Sequence, residues 1–188
     1  MTHALDVPVL ETGAGFRLRP WRLDDADLAL VREASGDPLI PLITTVPARY
    51  TEEEGEAFVR RQWDRAARRT GYPLVIERAH DGRPVGNVGL WLFAGDPDRA
   101  SLGYWVVPSA RGQGAAGAAL GALTRWALTT SGFARLELYV EPWNTASLRT
   151  AERAGFTREG LLRSWQRVGA VRRDMYMYAR LGPGGRGL

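Results

Sequence analysis

The stretch "VPSARGQGAAGAAL", residues 107–120, follows a strand-like run, gives eight positions to glycine and alanine, and continues as a helix. A strand-to-helix turn this bare serves either tight helix–sheet packing or a ligand that approaches the backbone directly. Read literally, Gly112-x-Gly114-x-x-Gly117 matches the dinucleotide fingerprint, with the acidic Glu137 about twenty residues on. What surrounds it argues otherwise. A dinucleotide fold places its glycine turn in the first strand–helix unit of a parallel sheet. Here two helices and three antiparallel strands are predicted to precede the glycines, Pro108-Ser109-Ala110-Arg111 separates them from the strand, and Glu137 lies in mid-strand.

"FRLRPW" (16–21) alternates as a first strand, and Asp24 is placed to cap a helix carrying Leu28, Leu30 and Val31 on one face. Residues 36–50, with three prolines, read as a long connecting loop. Thr51 and Glu54 form a capping box for a second helix through Phe58, Val59, Gln62 and Trp63 towards Arg69. "YPLVIERAHDGRPVGNVGLWLF" predicts a hairpin turning at Asp81-Gly82, and "SLGYWVV" follows a second turn, "GDPDR", to complete an antiparallel meander. A helix from about 112 to 130, a strand at 135–140, a helix from Asn144 to Gly155 and strands near 156–165 and 171–180 complete the chain. Residues 1–15 are expected to be a flexible N-terminal segment, 16–181 a single domain, and 182–188 a disordered tail.

Composition closes off several classes. The 188 residues contain no cysteine, which excludes disulfides, zinc–thiolate sites and a covalent Cys intermediate. No His pair has metal-ligand spacing and no Gly-Lys-Ser/Thr marks a P-loop, so no metal is expected. No secretory signal is visible and no apolar run approaches the ~20 residues a membrane helix needs, so a cytoplasmic protein without membrane contact is expected. The net charge is +4 and every one of the 25 basic residues is Arg. Basic and acidic residues are interleaved rather than clustered, which fits an anionic ligand of modest size better than a nucleic acid.

The register that satisfies the turn is Arg111-x-x-Gly114-x-Ala116. Glycine and alanine at a helix start leave its free N–H groups open to a pyrophosphate, while Ala115, Ala118, Ala119, Leu123 and Trp126 bury the helix against a sheet. For Ala118 and Ala119, packing alone accounts for the small side chains. A second unit, "NTASLRTAERAGF" (144–156), has Asn144 as N-cap, Ser147 in the first turn and Gly155 as the C′ residue.

Together with "LGYWVVP" before the turn and "MYMYARL" at the end, these motifs resemble the GNAT N-acetyltransferase family, in particular its branch that acetylates ribosomal-protein N-termini. The resemblance covers roughly residues 15–181. It implies an α/β (α+β) fold with a central, mixed, mostly antiparallel six- to seven-stranded sheet and about four helices. It also implies acetyl-CoA as co-substrate and direct acetyl transfer to an amine. The favoured acceptor is a protein or peptide N-terminal α-amine; a small amine or amino sugar, or a non-catalytic CoA-binding protein, are the alternatives. A homodimer through the C-terminal strands is a further possibility.

Carried onto this chain, the resemblance implies cofactor contacts from Val106, Val107, Arg111, Gly112, Gln113 and Gly114. Ala115, Ala116, Asn144 and Ser147 complete that set. Backbone N–H near Val106 would hold the oxyanion, and Ser147 would serve the leaving sulfur, with Tyr139 or Tyr104 as alternatives. Many family members carry a carboxylate just before the Gly-Tyr pair of the fourth strand, where this chain has Ser101. By strand alternation Glu137, Tyr139 and Glu141 share one face, and Glu141 at the strand's end is the candidate base, an exposed turn residue being its plain alternative. Residues 36–50 are expected to wall the acceptor site, with Trp21, Trp91, Phe93 and Trp105 lining or underpinning it.

Overall fold

The computed structural model describes residues 7–183. Local signals start the elements where the sequence places them. Asp24 accepts the Asp27 N–H at 2.9 Å and opens α1 (Asp25–Ser35). Thr51 Oγ1 accepts the Glu54 N–H at 3.1 Å and opens α3 (Glu52–Ala67), whose face buries Phe58, Val59 and Gln62 and leaves Trp63 exposed. The meander consists of β3 (Gly71–Arg78), β4 (Pro84–Phe93) and β5 (Asp96–Val106), preceded in the sheet by β2 (Phe16–Pro20). The turn between β4 and β5 is tighter than "GDPDR" suggests. Phe93 pairs with Asp96, and Gly95 takes a positive φ of 82°, so Asp96–Arg99 belong to the strand.

Beyond the glycine turn lie α4 (Ala115–Thr129), β6 (Arg135–Val140), α5 (Thr145–Arg153), β7 (Thr157–Val168) and β8 (Val171–Leu181). With the two-residue β1 (Leu10–Glu11) the sheet has eight strands in the order β1-β2-β3-β4-β5-β6-β8-β7. The α/β class and mixed, mostly antiparallel sheet are as expected; the count exceeds six to seven because Leu10 and Glu11 pair with Leu18 and Arg17. That edge pairing has no periodic signal in so short a segment. A fifth helix, α2 (Ile40–Ile43), lies inside the stretch read as loop. Asp37 Oδ1 starts it by accepting the N–H groups of Leu39 and Ile40, both at 2.9 Å. Residues 184–188 of the expected tail and 1–6 of the N-terminal segment lie outside the described residues.

β5 and β6 form the sheet's parallel pair, and their ladder is short: Arg99, Ala100 and Ser101 face Arg135, Leu136 and Glu137. α4 makes the crossover between them, burying Ala119, Leu120 and Leu123 completely. No described helix is long and apolar enough to cross a membrane.

A buried charge cluster ties β2, α1 and β3. Arg19 meets Asp27 at 2.7 Å and also Glu77, which Arg17 reaches as well. Burial pushes the Glu77 carboxyl up, but hydrogen bonds from Arg19 and then Arg17 outweigh it and leave the group below the usual carboxylate range. A depressed carboxylate contributes stability above its unfolded pKa and loses it as pH falls through the folded one. Glu77→Gln should therefore cost about 3 kcal/mol at pH 7, as for a broken buried ion pair. The cost should shrink below pH ~4, where the wild-type carboxylate begins to protonate in the unfolded chain. Urea denaturation at pH 7 and pH 3 checks both statements.

Candidate active site

The site follows from the parting of β5 and β6. Their ladder stops at Ser101 and Glu137, yet β5 runs on to Val106 and β6 to Val140. Val107 N–H donates to Val85 O at 3.1 Å, and the β4–β5 register is regular from Leu92/Ala100 to Gly86/Val106. Alternation therefore turns the backbone groups of Leu102, Tyr104 and Val106 away from β4 and into the gap. A cavity of about 540 Å³ occupies that gap and the space beside it.

Glu137 pins the closed end. It is fully buried and receives Arg99 at 2.7 and 2.9 Å, Arg135 at 2.6 Å and the Tyr139 hydroxyl at 2.5 Å. Burial pushes its carboxyl up, yet the bonds from Arg99, Arg135 and Tyr139 hold it low. Glu137 and Tyr139 are thus partners of each other. Burial, followed by the hydrogen bond to Glu137 and its charge, pushes the Tyr139 phenol up to about 12. That proton is committed to Glu137, which weakens Tyr139 as a donor to anything in the cavity.

Glu141, just past β6, behaves differently. It is 8% exposed and lines the cavity; Oε2 accepts from the Trp143 indole, while Oε1 is buried with no partner among the described residues. An unsatisfied buried carboxylate oxygen costs a few kcal/mol unless a donor completes it. Nearby, Asn144 Oδ1 accepts the Ser147 N–H at 3.1 Å and opens α5 as predicted. The Tyr104 hydroxyl donates to Ser147 O at 3.4 Å, and burial raises its pKa against hydrogen bonds with Ser147 and Thr150. Glu141, Asn144, Ser147, Tyr104 and Ser101 all line the one cavity.

At the other end stands the glycine turn. Gly112 and Gly114 have φ of 78° and 83°, and Gly114 is the N-cap of α4, with no side-chain cap. A Cβ at either would meet nothing within 4 Å, so backbone conformation, rather than crowding, demands glycine there. Gly112, Gln113 and Gly114 are exposed, Ala115 is buried and Ala116 half-buried, so the first-turn N–H groups of α4 face open space.

Two expected contacts are placed differently. Arg111 does not lie free at the turn: Nη2 meets Asp37 Oδ2 at 2.6 Å and Nε donates to Val106 O at 3.0 Å. Asp37 is buried, so it draws the guanidinium back and straps the turn to the segment that carries α2. Val107 has its N–H on Val85 O and its carbonyl on Ala110 N at 3.0 Å, leaving no backbone donor for a ligand.

Leu39, Leu42, Ile43, Thr44 and Thr45 of the 36–50 segment line the cavity. Trp91 and Trp105 line the cavity. Trp21 underpins it, 5.1 Å from the Phe58 ring and donating to Asn87 Oδ1 at 3.1 Å. Phe93 stays outside, beneath the Arg99 guanidinium at 4.5 Å. Trp91 packs across the paired Gly89 and Gly103; a Cβ on Gly89 would sit 2.3 Å from the indole. The sequence reading missed Gln62, Arg65, Asn87 and Arg167 as lining residues. For Asn87 a signal existed, a lone polar residue inside the apolar run "PVGNVGLWLF"; the others look like ordinary surface positions.

The acetyltransferase (GNAT) domain profile matches residues 16–157. "Probable N-acetyltransferase YjcK" of Bacillus subtilis (strain 168) is 26% identical over 174 residues, covering 91% of this chain and 96% of that protein. Among solved structures, Mycobacterium smegmatis RimJ in complex with CoA-disulfide superposes with a TM-score of 0.76 at 29% identity, covering 93% of this chain and 86% of that one. The microcin C7 self immunity acetyltransferase MccE, in complex with acetyl-CoA and AMP, superposes at 0.76 with 20% identity, covering 90% and 94%.

The Glu137–Tyr139 pairing has a direct optical readout. In a phenolate titration, the difference between wild type and Tyr139→Phe should isolate a tyrosine with a midpoint near 12. In the Glu137→Gln background the same difference should move down, yet stay above the ordinary ~10 because burial, the larger cause, persists.

Proposed function

The chain belongs to the acetyltransferase (GNAT) family and is an acetyltransferase, and from that premise we propose that it takes its acetyl group from acetyl-CoA and passes it to an N-terminal α-amine of a protein or peptide. The observation that carries this reading is Glu141, whose Oε1 is buried at the cavity wall with no partner among the described residues, in the cavity that Tyr104 and Ser147 also line. An ammonium group satisfies that oxygen and gives up its proton there.

The residues present fit the co-substrate. Open N–H groups at a glycine-capped helix start suit a pyrophosphate, and a strand edge with unpaired backbone groups suits an amide-bearing arm. In this reading Gly112, Gln113, Gly114, Ala115 and Ala116 hold the pyrophosphate through backbone N–H, while Arg111 acts by fixing the turn to Asp37. Asn144 borders the arm. Acetyl-CoA supplies the activated acyl group.

Three tasks then fall to this chain. Glu141 Oε1 takes the amine proton. The Val106 N–H, turned into the gap, stabilises negative charge on the acyl oxygen. At the thiol end Ser147, with Tyr104 above it, holds the proton for the leaving sulfur; Tyr139 is excluded because Glu137 holds its hydroxyl. One carboxylate suffices for an α-amine, which titrates near ~8 and is partly neutral at pH 7, whereas a lysine amine near ~10.4 is almost wholly protonated.

Mass spectrometry of peptides carrying both a free N-terminus and an internal lysine, incubated with acetyl-CoA, tests the acceptor: acetylation confined to lysine would overturn it. Glu141→Gln should lower kcat/KM by about 10²-fold. Ser147→Ala should lower kcat while acetyl-CoA affinity, read by calorimetry, changes little. A Glu141→Gln enzyme with wild-type kcat/KM would remove Glu141 from the mechanism.

A further inference from the structure

We propose that the acceptor carries an anionic group, a carboxylate or phosphate close to its reacting amine, and that Arg65 on α3, with Arg167 on β7, holds that group inside the cavity. This rests on the amine-acceptor reading above and names its substrate class.

The cavity's charge is lopsided. Among the described residues its one acidic lining residue is Glu141, and its basic ones are Arg65 and Arg167. Elsewhere in the fold, arginines drawn out of water meet carboxylates, as Arg19 meets Asp27 and Glu77 and as Arg99 and Arg135 meet Glu137. Arg65 is half-buried, yet its recorded partners are neutral: Gln62 Oε1 at 2.6 Å and Thr45 Oγ1 at 3.1 Å. One turn back, Arg61 donates to Thr45 O at 3.2 Å, so Thr45 gathers two guanidinium groups at the cavity mouth. Burial and then the Arg61 charge disfavour the Arg65 cation, lowering its pKa. Like charges at i and i+4 are unfavourable on a helix, and a bidentate oxyanion offsets both costs.

On the opposite wall the basic residue is exposed. Arg167 faces Arg172 directly across the β7–β8 ladder, and its neighbour Gln166 faces Arg173. Like charges placed opposite each other weaken a strand pair. Among the described residues no ion pair joins Arg167 or Arg172 to Asp174, whose Oδ1 accepts the Ser164 N–H at 2.7 Å. The hairpin turn reaches α2, where a Cβ on Gly169 would touch Leu42 at 3.4 Å, so Arg167 and the α2–α3 wall close on one cavity. A molecule with an amine at Glu141 and an acid at the arginines completes the charge of both walls. A peptide with Asp or Glu among its first residues has this chemistry, and so does a free amino acid.

The test uses amidated peptides with a free N-terminal serine and Asp, Asn or Lys placed at position two, three or four in turn. Free amino acids and their amides form a second arm. In at least one peptide register, the Asp peptide should exceed its Asn counterpart in kcat/KM by about ten- to a hundredfold, mostly through KM, as charge-assisted hydrogen bonds allow. The Lys peptide should be poorest. In Arg65→Gln, folded by its melting curve and binding acetyl-CoA as wild type does, the ratio should fall towards one, and Arg167→Gln should lower it partway. Asp and Asn peptides used equally in every register, or a ratio that survives in the double variant, would overturn the proposal and leave the α-amine reading standing. Turnover of free amino acids but not of their amides or any peptide would keep the proposal and overturn the peptide reading. No turnover in either arm would overturn both.

Discussion

Everything at this site depends on where two parallel strands stop pairing. A sheet normally leaves unpaired backbone groups only at its edges, where water satisfies them. Here β5 and β6 share three register pairs and then separate in the middle of the sheet. The separation exposes a row of backbone groups inside the protein, next to the turn that opens α4. Glu137 holds the strands together at the last pair, because two arginines from the two strands and the Tyr139 hydroxyl converge on it. A fully buried carboxylate with that many donors is satisfied structurally and has little left to offer a reaction.

The glycine turn and the cavity wall that carries α2 are mechanically joined. Asp37 caps α2 with one oxygen and receives Arg111 with the other. Burial pushes its carboxyl up, but the N–H groups of Ile40 and Leu39 and the Arg111 guanidinium draw it below the usual range. The charge beside the glycine turn is therefore an internal strap. It sets the turn before α4 relative to the segment carrying Leu39, Leu42 and Ile43, so one ion pair positions both halves of the site.

What the sequence made legible was local. Asp24, Thr51 and Asn144 announce helix starts because each cap bonds within three residues, and Asp81-Gly82 announces a hairpin for the same reason. The glycine turn was legible because Gly112 and Gly114 need positive φ. What escaped was long-range. Nothing near Arg111 in sequence points to Asp37, 74 residues away. Strand alternation put Glu137 and Glu141 on one face without saying that arginines would claim the first and leave the second open. Helix α2 was hidden by the prolines around it, and β1 was too short to show a period.

The serine at position 101 finds its explanation in that same cluster. Ser101 pairs with Glu137 across the last rung of the β5–β6 ladder. A carboxylate at 101 would stand beside a buried carboxylate whose arginine donors are already engaged, and like charges that close in a low-dielectric site raise one another's pKa. Serine removes that conflict and keeps the pin intact. The carboxylate that lines the cavity stands just past β6, at residue 141, where the strands have parted. Ser101 and the separate placement of Glu141 then follow from one constraint: a second carboxylate is tolerated only away from the cluster that neutralises Glu137.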